Sequence, residues 1–469
     1  MKLNRMTGIS WLALWVVVGL GLRLIHYVRS PSIWHDEAAL IINVIDLDFA
    51  RLLGPLLHSE AAPPLFLWLE RAILLLFGDT PTSLRLLPFA ASCLALVLFA
   101  DAARRVIPIQ SACWAVAMFA CSDRQLWHAC EAKPYAIDVL VGVAILRGWL
   151  LMRGLSVPRQ CLLWLPWMPV MLLVSYPACF MVGGLLTVLA MQATRERSRA
   201  GWFALAGLSI AVAGCFLWVA LGPARAQKDG AMLSCWVSHF PDWSRPWKFP
   251  FWTLFSTMEV VRYNLMPFGQ AATAFVVVGA WVTVRRGRAS LAVLTLLPLG
   301  LAWVASCAGA YPYGGSRVEA FASGGLILMV GASLQPTLSA IRRHVGRPWE
   351  YRLICGLSLF LLLPVAQGVA RTIVPWPRAD CDGAAEYVRS LAREGDLVSW
   401  NHWEYEYYFR NRRGQYIAPE AVPAANDTRV WVIVTGDRPE DRDDYLRAYA
   451  DRDFHDRREF VRTTVVLLD

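Results

Sequence analysis

The sequence predicts an all-α polytopic membrane protein with about eleven transmembrane helices, outer juxtamembrane helices and a small C-terminal soluble α/β domain. Of its 469 residues, 57% are hydrophobic and only 17% are charged, whereas an average soluble domain has about 25% charged residues. Apolar runs recur through residues 1–370, and about half of all Asp and Glu residues fall in the last hundred. We therefore predict a transmembrane domain at 1–370 and an α/β domain at 371–469.

Eleven apolar runs are long enough to cross a bilayer. The first is too long for the apolar core of a signal peptide and is followed by no small-residue cleavage site, so we interpret it as a retained span. The predicted spans are 8–28, 84–103, 109–126, 134–152, 160–175, 177–193, 201–221, 263–284, 289–309, 318–339 and 352–370.

The net charge of +9 does not indicate a nucleic-acid partner, because the Arg residues cluster in short loops between apolar runs, as topology signals do. Most of the 11 Cys residues lie inside apolar runs and are typical of small buried hydrophobic residues. No Cys or His spacing indicates a zinc site.

A further apolar run at 64–77 is short, carries Glu70 and Arg71, and begins at a Pro-Pro pair. If this run spanned the membrane, most later Arg clusters would lie opposite the basic N-terminus, against the positive-inside rule. We therefore predict a juxtamembrane helix and a cytoplasmic N-terminus. The predicted outer segments are 29–83, 122–133, 222–262, 310–317 and everything after 371.

The first outer segment begins with Trp34-His35-Asp36-Glu37, directly after the first span. Charge so close to a bilayer is costly and often marks a functional site, and adjacent carboxylates suit acid–base chemistry. The alternative is a solvated loop in which Asp36 is the N-cap of an amphipathic helix. His58 and Glu60, further along the same segment, either face the same cavity or are ordinary loop residues.

The other outer segments carry cations beside span termini. Lys133 precedes a span at Pro134, where a helix N-terminus and an ammonium group form a favourable anion site, and Glu131 is placed to hold Lys133. Arg317 heads another span and is a candidate phosphate clamp, because a guanidinium binds phosphate oxygens in bidentate fashion. The alternatives are snorkelling to the interface for either cation, or pairing of Arg317 with Glu319.

The segment after residue 370 has the composition and patterning of a soluble α/β domain. Its charge-dense stretch from Asp437 to Glu459 is interpreted as solvated surface, and Asn426-Asp427-Thr428 matches a glycosylation sequon. Predicted strands lie at 397–400, 429–434 and 461–468, and predicted helices at 383–393 and 439–451.

A succession of motifs resembles the type-C glycosyltransferases, and within them the branch of protein O-mannosyltransferase-like enzymes. That branch includes the rhizobial lipopolysaccharide sugar transferases and the aminoarabinose transferase of lipid A. The resemblance covers roughly residues 8–340. The motifs are Trp34-His35-Asp36-Glu37, Ala62-Pro63-Pro64-Leu65, Phe77-Gly78, Leu84-Arg85-Leu86-Leu87-Pro88, Glu131-Ala132-Lys133-Pro134-Tyr135 and Tyr311-Pro312-Tyr313-Gly314-Gly315-Ser316-Arg317.

The resemblance implies a type-C fold and the transfer of a sugar from a polyprenyl-phosphate donor, usually with inversion, to a glycan, lipid or protein of the cell envelope. It implies that Asp36 is the catalytic base and that Glu37 supports it or orients the acceptor. Lys133, where the family more often has Arg, and Arg317 would bind the carrier phosphate, and Tyr135 would line the donor pocket. The implied location is a bacterial inner membrane.

These residues indicate no particular cofactor. A divalent cation at Asp36 and Glu37 stays an open alternative, because some related oligosaccharyltransferases use a metal at the corresponding carboxylate.

Two other functions compete with this hypothesis. A transporter or flippase of lipid-linked sugars would line its pathway with intramembrane charge, yet Asp138 and Arg147 are the main charges found deeper in a span. A non-catalytic membrane assembly protein would bind partners through its outer domain and would tolerate loss of the Asp36 carboxylate.

Overall fold

The computed structural model describes residues 2–267, 269–422, 428–450 and 452–468. Asn426 and Asp427 of the sequon lie outside the described residues. The predicted fold class is confirmed: apolar helices fill the first 370 residues and a small sheet follows. The chain is an integral, multi-pass membrane protein.

Within the described residues, eight helices are long and apolar enough to cross a membrane, and two bent pairs bring the number to ten. The bent pairs are Val157–Trp164 with Trp167–Val174, at 49°, and Pro246–Asn264 with Gly269–Arg285, at 98°. The eight helices are Gly8–Arg29, Leu86–Val106, Tyr135–Met152, Ala178–Glu196, Arg199–Ala226, Ala289–Cys307, Arg317–His344 and Trp349–Ala370.

The prediction of a continuous span at 109–126 is wrong, because the helix there runs only from Ile109 to Ala120 and comprises 12 residues. The last carbonyl groups of a helix need partners, and here the buried guanidinium of Arg23 supplies one. Its Nη1 donates to the carbonyl oxygen of Ala120 at 2.9 Å, and its Nε donates to Ser92 at 2.8 Å. Arg23, which lies inside the first span, thus stabilises the end of this helix at Ala120.

Short helices form a layer at one end of the spans. The helix His35–Asp46, named the acidic helix below, belongs to this layer, and Pro64–Phe77 forms where a juxtamembrane helix is predicted. Leu75, Leu76 and Phe77 at the end of that second helix are exposed, as an interfacial helix requires. Further short helices in this layer are Pro81–Leu84, Asp123–Ala129 and Gly230–Cys235.

The C-terminal region contains a four-stranded sheet, with β1 (Leu397–Trp400), β2 (Val430–Thr435), β3 (Phe454–Phe460) and β4 (Thr463–Leu468) in the order β1-β2-β4-β3. β1 and β2 are parallel and the other pairs are antiparallel. The sheet is accompanied by the helices Cys381–Leu391, Glu404–Tyr408 and Pro439–Leu446.

The charge-dense stretch predicted as solvated surface contains the strand β3. It lies at the edge of the sheet with mostly exposed residues, and charged side chains are the usual protection of an exposed edge against further pairing. Such a strand lacks the apolar alternation that would reveal it in the sequence.

The C-terminal region and the acidic helix share one hydrophobic core. Ala38, Ile41 and Ile42 of the acidic helix pack in the same cluster as Tyr405 and Tyr408 of the Glu404–Tyr408 helix, which we name the docking helix. The backbone N–H of Ile33 also donates to the Tyr408 hydroxyl at 2.8 Å. Contacts with the C-terminal region therefore fix the position of the first outer segment.

Truncation of this shared core tests that arrangement. We expect Ile42→Ala to cost about 2–5 kcal/mol, because it removes a buried side chain and leaves a cavity. The measurement is the thermal unfolding midpoint of the purified protein in detergent. Ile210→Ala is the matched control, since the Ile210 side chain is 73% exposed, and an equal loss in both variants would contradict a shared core.

Candidate active site

The two acids of the Trp-His-Asp-Glu motif point in different directions. The acidic helix begins at His35 with Trp34 as its N-cap, so Asp36 occupies the first turn and is not the N-cap itself. Successive residues of an α-helix are rotated by about 100°. Asp36 consequently faces a cavity, whereas Glu37 faces the surrounding outer segments.

Glu37 is fully buried and binds three separate segments of the chain. Arg85 donates Nε and Nη2 to its two carboxylate oxygens, each at 2.7 Å, and Nη1 of Arg378 donates at 2.8 Å. The backbone N–H of Ala132 donates at 2.8 Å. Burial alone would raise the pKa of Glu37, but Arg85 and Arg378 lower it below its ordinary value.

Asp36 lies between two cations. Nη1 of Arg317 is 2.8 Å from Oδ2, and Nζ of Lys133 is 3.6 Å from Oδ1. Lys133 also forms an ion pair with Glu60. Burial would raise the pKa of Asp36, but Lys133 and Arg317 lower it below its ordinary value, whereas burial and the nearby charge of Asp36 raise the pKa of Glu60.

These groups surround a cavity of about 290 Å³. Its lining residues come from the ends of several spans and from the segments predicted to share the outer face. Of the sequence-predicted site residues, the structure brings Asp36, His58, Glu60, Tyr135 and Arg317 to this cavity. Lys133 is only 2% exposed and acts on Asp36 and Glu60 from within the wall.

Arg317 is oriented by its neighbours rather than by Glu319. Its guanidinium carbon lies 5.9 Å from the centroid of the Tyr135 ring, a cation–π arrangement. Glu319 instead accepts hydrogen bonds from the backbone N–H groups of Gly314, at 3.0 Å, and Ser316, at 2.8 Å. The pairing of Arg317 with Glu319 considered from the sequence is not formed, because the loop backbone occupies that carboxylate.

Glu131 does not hold Lys133 as the sequence suggested. One of its oxygens is 2.9 Å from Nδ1 of His128, whose Nε2 is 2.9 Å from the Tyr263 hydroxyl. These three residues, together with Arg124 and Arg317, help to line a second cavity of about 310 Å³. Arg317 thus borders both cavities.

Several cavity residues were not predicted as site residues. Trp403, from the docking helix's N-cap, donates Nε1 to the carbonyl oxygen of His35 at 2.6 Å and stacks on His58 with ring centroids 5.1 Å apart. Lys228 and Trp403 belong to no recognised motif, and no pattern in the sequence indicated that they line the cavity. Other such lining residues are Asp138, Tyr176 and Trp236.

The donor set around Asp36 does not fit a metal ion. Both carboxylate oxygens face cationic side chains, which would repel a divalent ion. Within the described part of the chain, no group of three or more His, Cys, Asp or Glu side chains is placed to hold a metal.

Comparison with solved structures identifies proteins that share the fold of this chain along nearly its whole length. The chain is similar to ArnT from Cupriavidus metallidurans, an aminoarabinose transferase. The apo structure has a TM-score of 0.56 at 15% identity, with 97% of each chain covered. The structure bound to undecaprenyl phosphate has a TM-score of 0.56 at 13% identity, with 98% of each chain covered. No protein-family model and no curated protein matches the chain.

The Glu37 network is expected to be essential for stability. Glu37→Gln removes the buried negative charge that two guanidinium groups share, and loss of one partner of a buried ion pair costs about 3–5 kcal/mol. The thermal midpoint in detergent should fall accordingly. Glu386→Gln, on the exposed face of a C-terminal helix, is the control, and an unchanged midpoint for Glu37→Gln would refute the role of this network.

Proposed function

We propose that this protein is an integral membrane glycosyltransferase that moves a sugar from a polyprenyl-phosphate donor to an acceptor on the outer face. The observation that carries the proposal is the position of Asp36 at the cavity, ion-paired with Arg317 and Lys133. The proposed base, Asp36, thus lies 2.8 Å from Arg317 and 3.6 Å from Lys133, the two cations proposed to bind phosphate. Such a set is what displacement at a sugar–phosphate bond requires.

Asp36 acts in this proposal as the general base. It takes the proton of the acceptor hydroxyl while that oxygen forms a bond to the anomeric carbon. The bond from the anomeric carbon to the phosphate oxygen breaks, and its electron pair stays on the carrier phosphate. One displacement of this kind inverts the anomeric configuration.

Arg317 and Lys133 stabilise the phosphate charge as the sugar leaves. When the donor binds, its phosphate oxygens replace the Asp36 carboxylate as partners of these cations, which frees Asp36 to accept a proton. Tyr135 orients the guanidinium through its ring, and Glu60 retains Lys133 on the cavity wall. Glu37 positions the helix that presents Asp36, so it supports the base without facing the cavity.

The type-C fold supports this assignment, and one similar structure contains undecaprenyl phosphate. We propose a carrier of the same class for this chain. The proposed orientation has the N-terminus in the cytoplasm of a bacterial cell, the C-terminal region outside the inner membrane, and a cell-envelope glycan, lipid or protein as acceptor.

Asp36→Asn is expected to abolish transfer, because the amide has no proton-accepting carboxylate, while the fold and donor binding are kept. The measurement is mass spectrometry of cell-envelope glycolipids and glycoproteins from cells carrying the wild type or the variant. Loss of one sugar from one product would identify both donor sugar and acceptor.

Asp46→Asn is the matched control, since Asp46 is exposed at the far end of the same helix. Arg317→Ala should instead weaken donor binding. A wild-type glycan profile in cells with Asp36→Asn at equal membrane levels would remove the catalytic role of Asp36 and favour a transport or assembly function.

The pH dependence of transfer should report Glu60 rather than Asp36. Lys133 and Arg317 hold the pKa of Asp36 below its ordinary value, whereas burial and the charge of Asp36 raise the pKa of Glu60, so Glu60 loses its charge first as the pH falls. Lys133 then loses the ion pair that retains it on the cavity wall, so it stabilises the carrier phosphate less well. We expect the initial rate to fall with decreasing pH already above the ordinary titration range of a glutamate, because the pKa of Glu60 is raised. Glu60→Gln should remove this acid limb, and an unchanged limb in the variant would contradict the assignment.

A further inference from the structure

The cavity is lined by a third carboxyl group, besides Asp36 and Glu60, that the proposed transfer does not use. Asp138 lies in the first turn of the Tyr135–Met152 helix, is 3% exposed and lines the cavity. Its Oδ1 has no hydrogen-bond partner in the structure, and its polar neighbour Ser175 is uncharged. Within the described residues, Asp138 forms no ion pair.

This situation is unusual for an acid inside a transmembrane helix. Arg147, further along the same helix, is paired with Asp101, so the other charged residue of that helix has its partner. A buried acceptor without a partner is costly, and ionisable residues inside transmembrane helices commonly mark functional sites, substrate pathways among them. A polar group of a bound ligand is therefore the candidate partner of the Asp138 carboxyl group.

The walls around Asp138 are aromatic. Tyr135, Tyr176 and Tyr311 line the same cavity. The Tyr176 hydroxyl donates to Gln227 at 2.7 Å, and the Tyr311 hydroxyl donates to the carbonyl oxygen of Val318 at 2.7 Å. Because these hydroxyl protons are engaged by the protein, the two tyrosines offer a ligand mainly their ring surfaces, and Asp138 supplies the polar contact.

Asp138 lies one helical turn from Tyr135, the residue that contacts Arg317. Tyr135 lies beside the Arg317 guanidinium, and Asp138 follows three residues later on the same helix face, about 5–6 Å away. A donor whose phosphate binds Arg317 would place its sugar ring along this helical turn.

We propose that Asp138 binds the donor sugar by accepting hydrogen bonds from ring substituents, with the tyrosines packing against the ring. This inference rests on the proposed function and deepens it by assigning a substrate class. The sugar is neutral or carries an amine, because hydroxyl and ammonium groups donate to a carboxyl group. An acidic sugar is selected against, since its carboxylate would lie against Asp138 in a desolvated site.

The test separates sugar recognition from carrier binding. The full chain in lipid nanodiscs is titrated with three probes: undecaprenyl phosphate, undecaprenyl phosphate carrying glucose, and undecaprenyl phosphate carrying glucuronate. Asp138→Leu should bind the bare carrier as the wild type does but lose about tenfold or more in affinity for the glucose-bearing probe. Asp138→Asn, which keeps the shape and one acceptor, should reduce the discrimination against glucuronate.

Asp242→Asn, in an exposed part of an outer loop, is the control and should change none of the three affinities. Bare-carrier binding also verifies that each variant is folded. Equal affinities of wild type and both Asp138 variants for the sugar-bearing probes, or wild-type preference for glucuronate, would overturn this inference alone. Failure of the wild type to bind undecaprenyl phosphate would overturn the proposed donor class and this inference with it.

Discussion

The site depends above all on one buried ion-pair network, in which Glu37 is shared by Arg85 and Arg378. The three residues come from the first outer segment, the start of a span and the chain after the last span. Their charges would each be costly to bury alone, and the mutual compensation requires all three segments to be in place. The network also accepts the Ala132 N–H, which fixes the loop that carries Lys133 next to Asp36.

The first turn of the acidic helix carries both acids, and they contact different parts of the molecule. Because Asp36 and Glu37 are adjacent, the rotation between them directs one carboxylate to the cavity and the other to the anchoring network. Rigid anchoring of Glu37 thereby sets the position of Asp36. The cations around Asp36 compensate its buried charge, and in the proposed reaction the donor phosphate would take the place of Asp36 as their partner.

The C-terminal region is part of this arrangement. The docking helix packs on the acidic helix, Trp403 reaches the cavity, and Arg378 lies over Trp127, with its guanidinium carbon 4.5 Å from the ring centroid. The C-terminal region therefore contributes Trp403 to the cavity wall. A change in this region would alter the environment of Asp36 without touching a motif in the first 340 residues.

The sequence by itself determined the features that depend on local pattern. Hydropathy identified most spans and the 64–77 helix, and charged residues beside span ends pointed to Asp36, Lys133 and Arg317 as neighbours on one face. It did not reveal the edge strand β3, the early helix end at Ala120, or the partners of Glu37, Glu131 and Arg317. Those were decided by the tertiary structure, because ion pairs such as Glu37 with Arg378 join residues far apart in the chain, and only packing determines which charges meet.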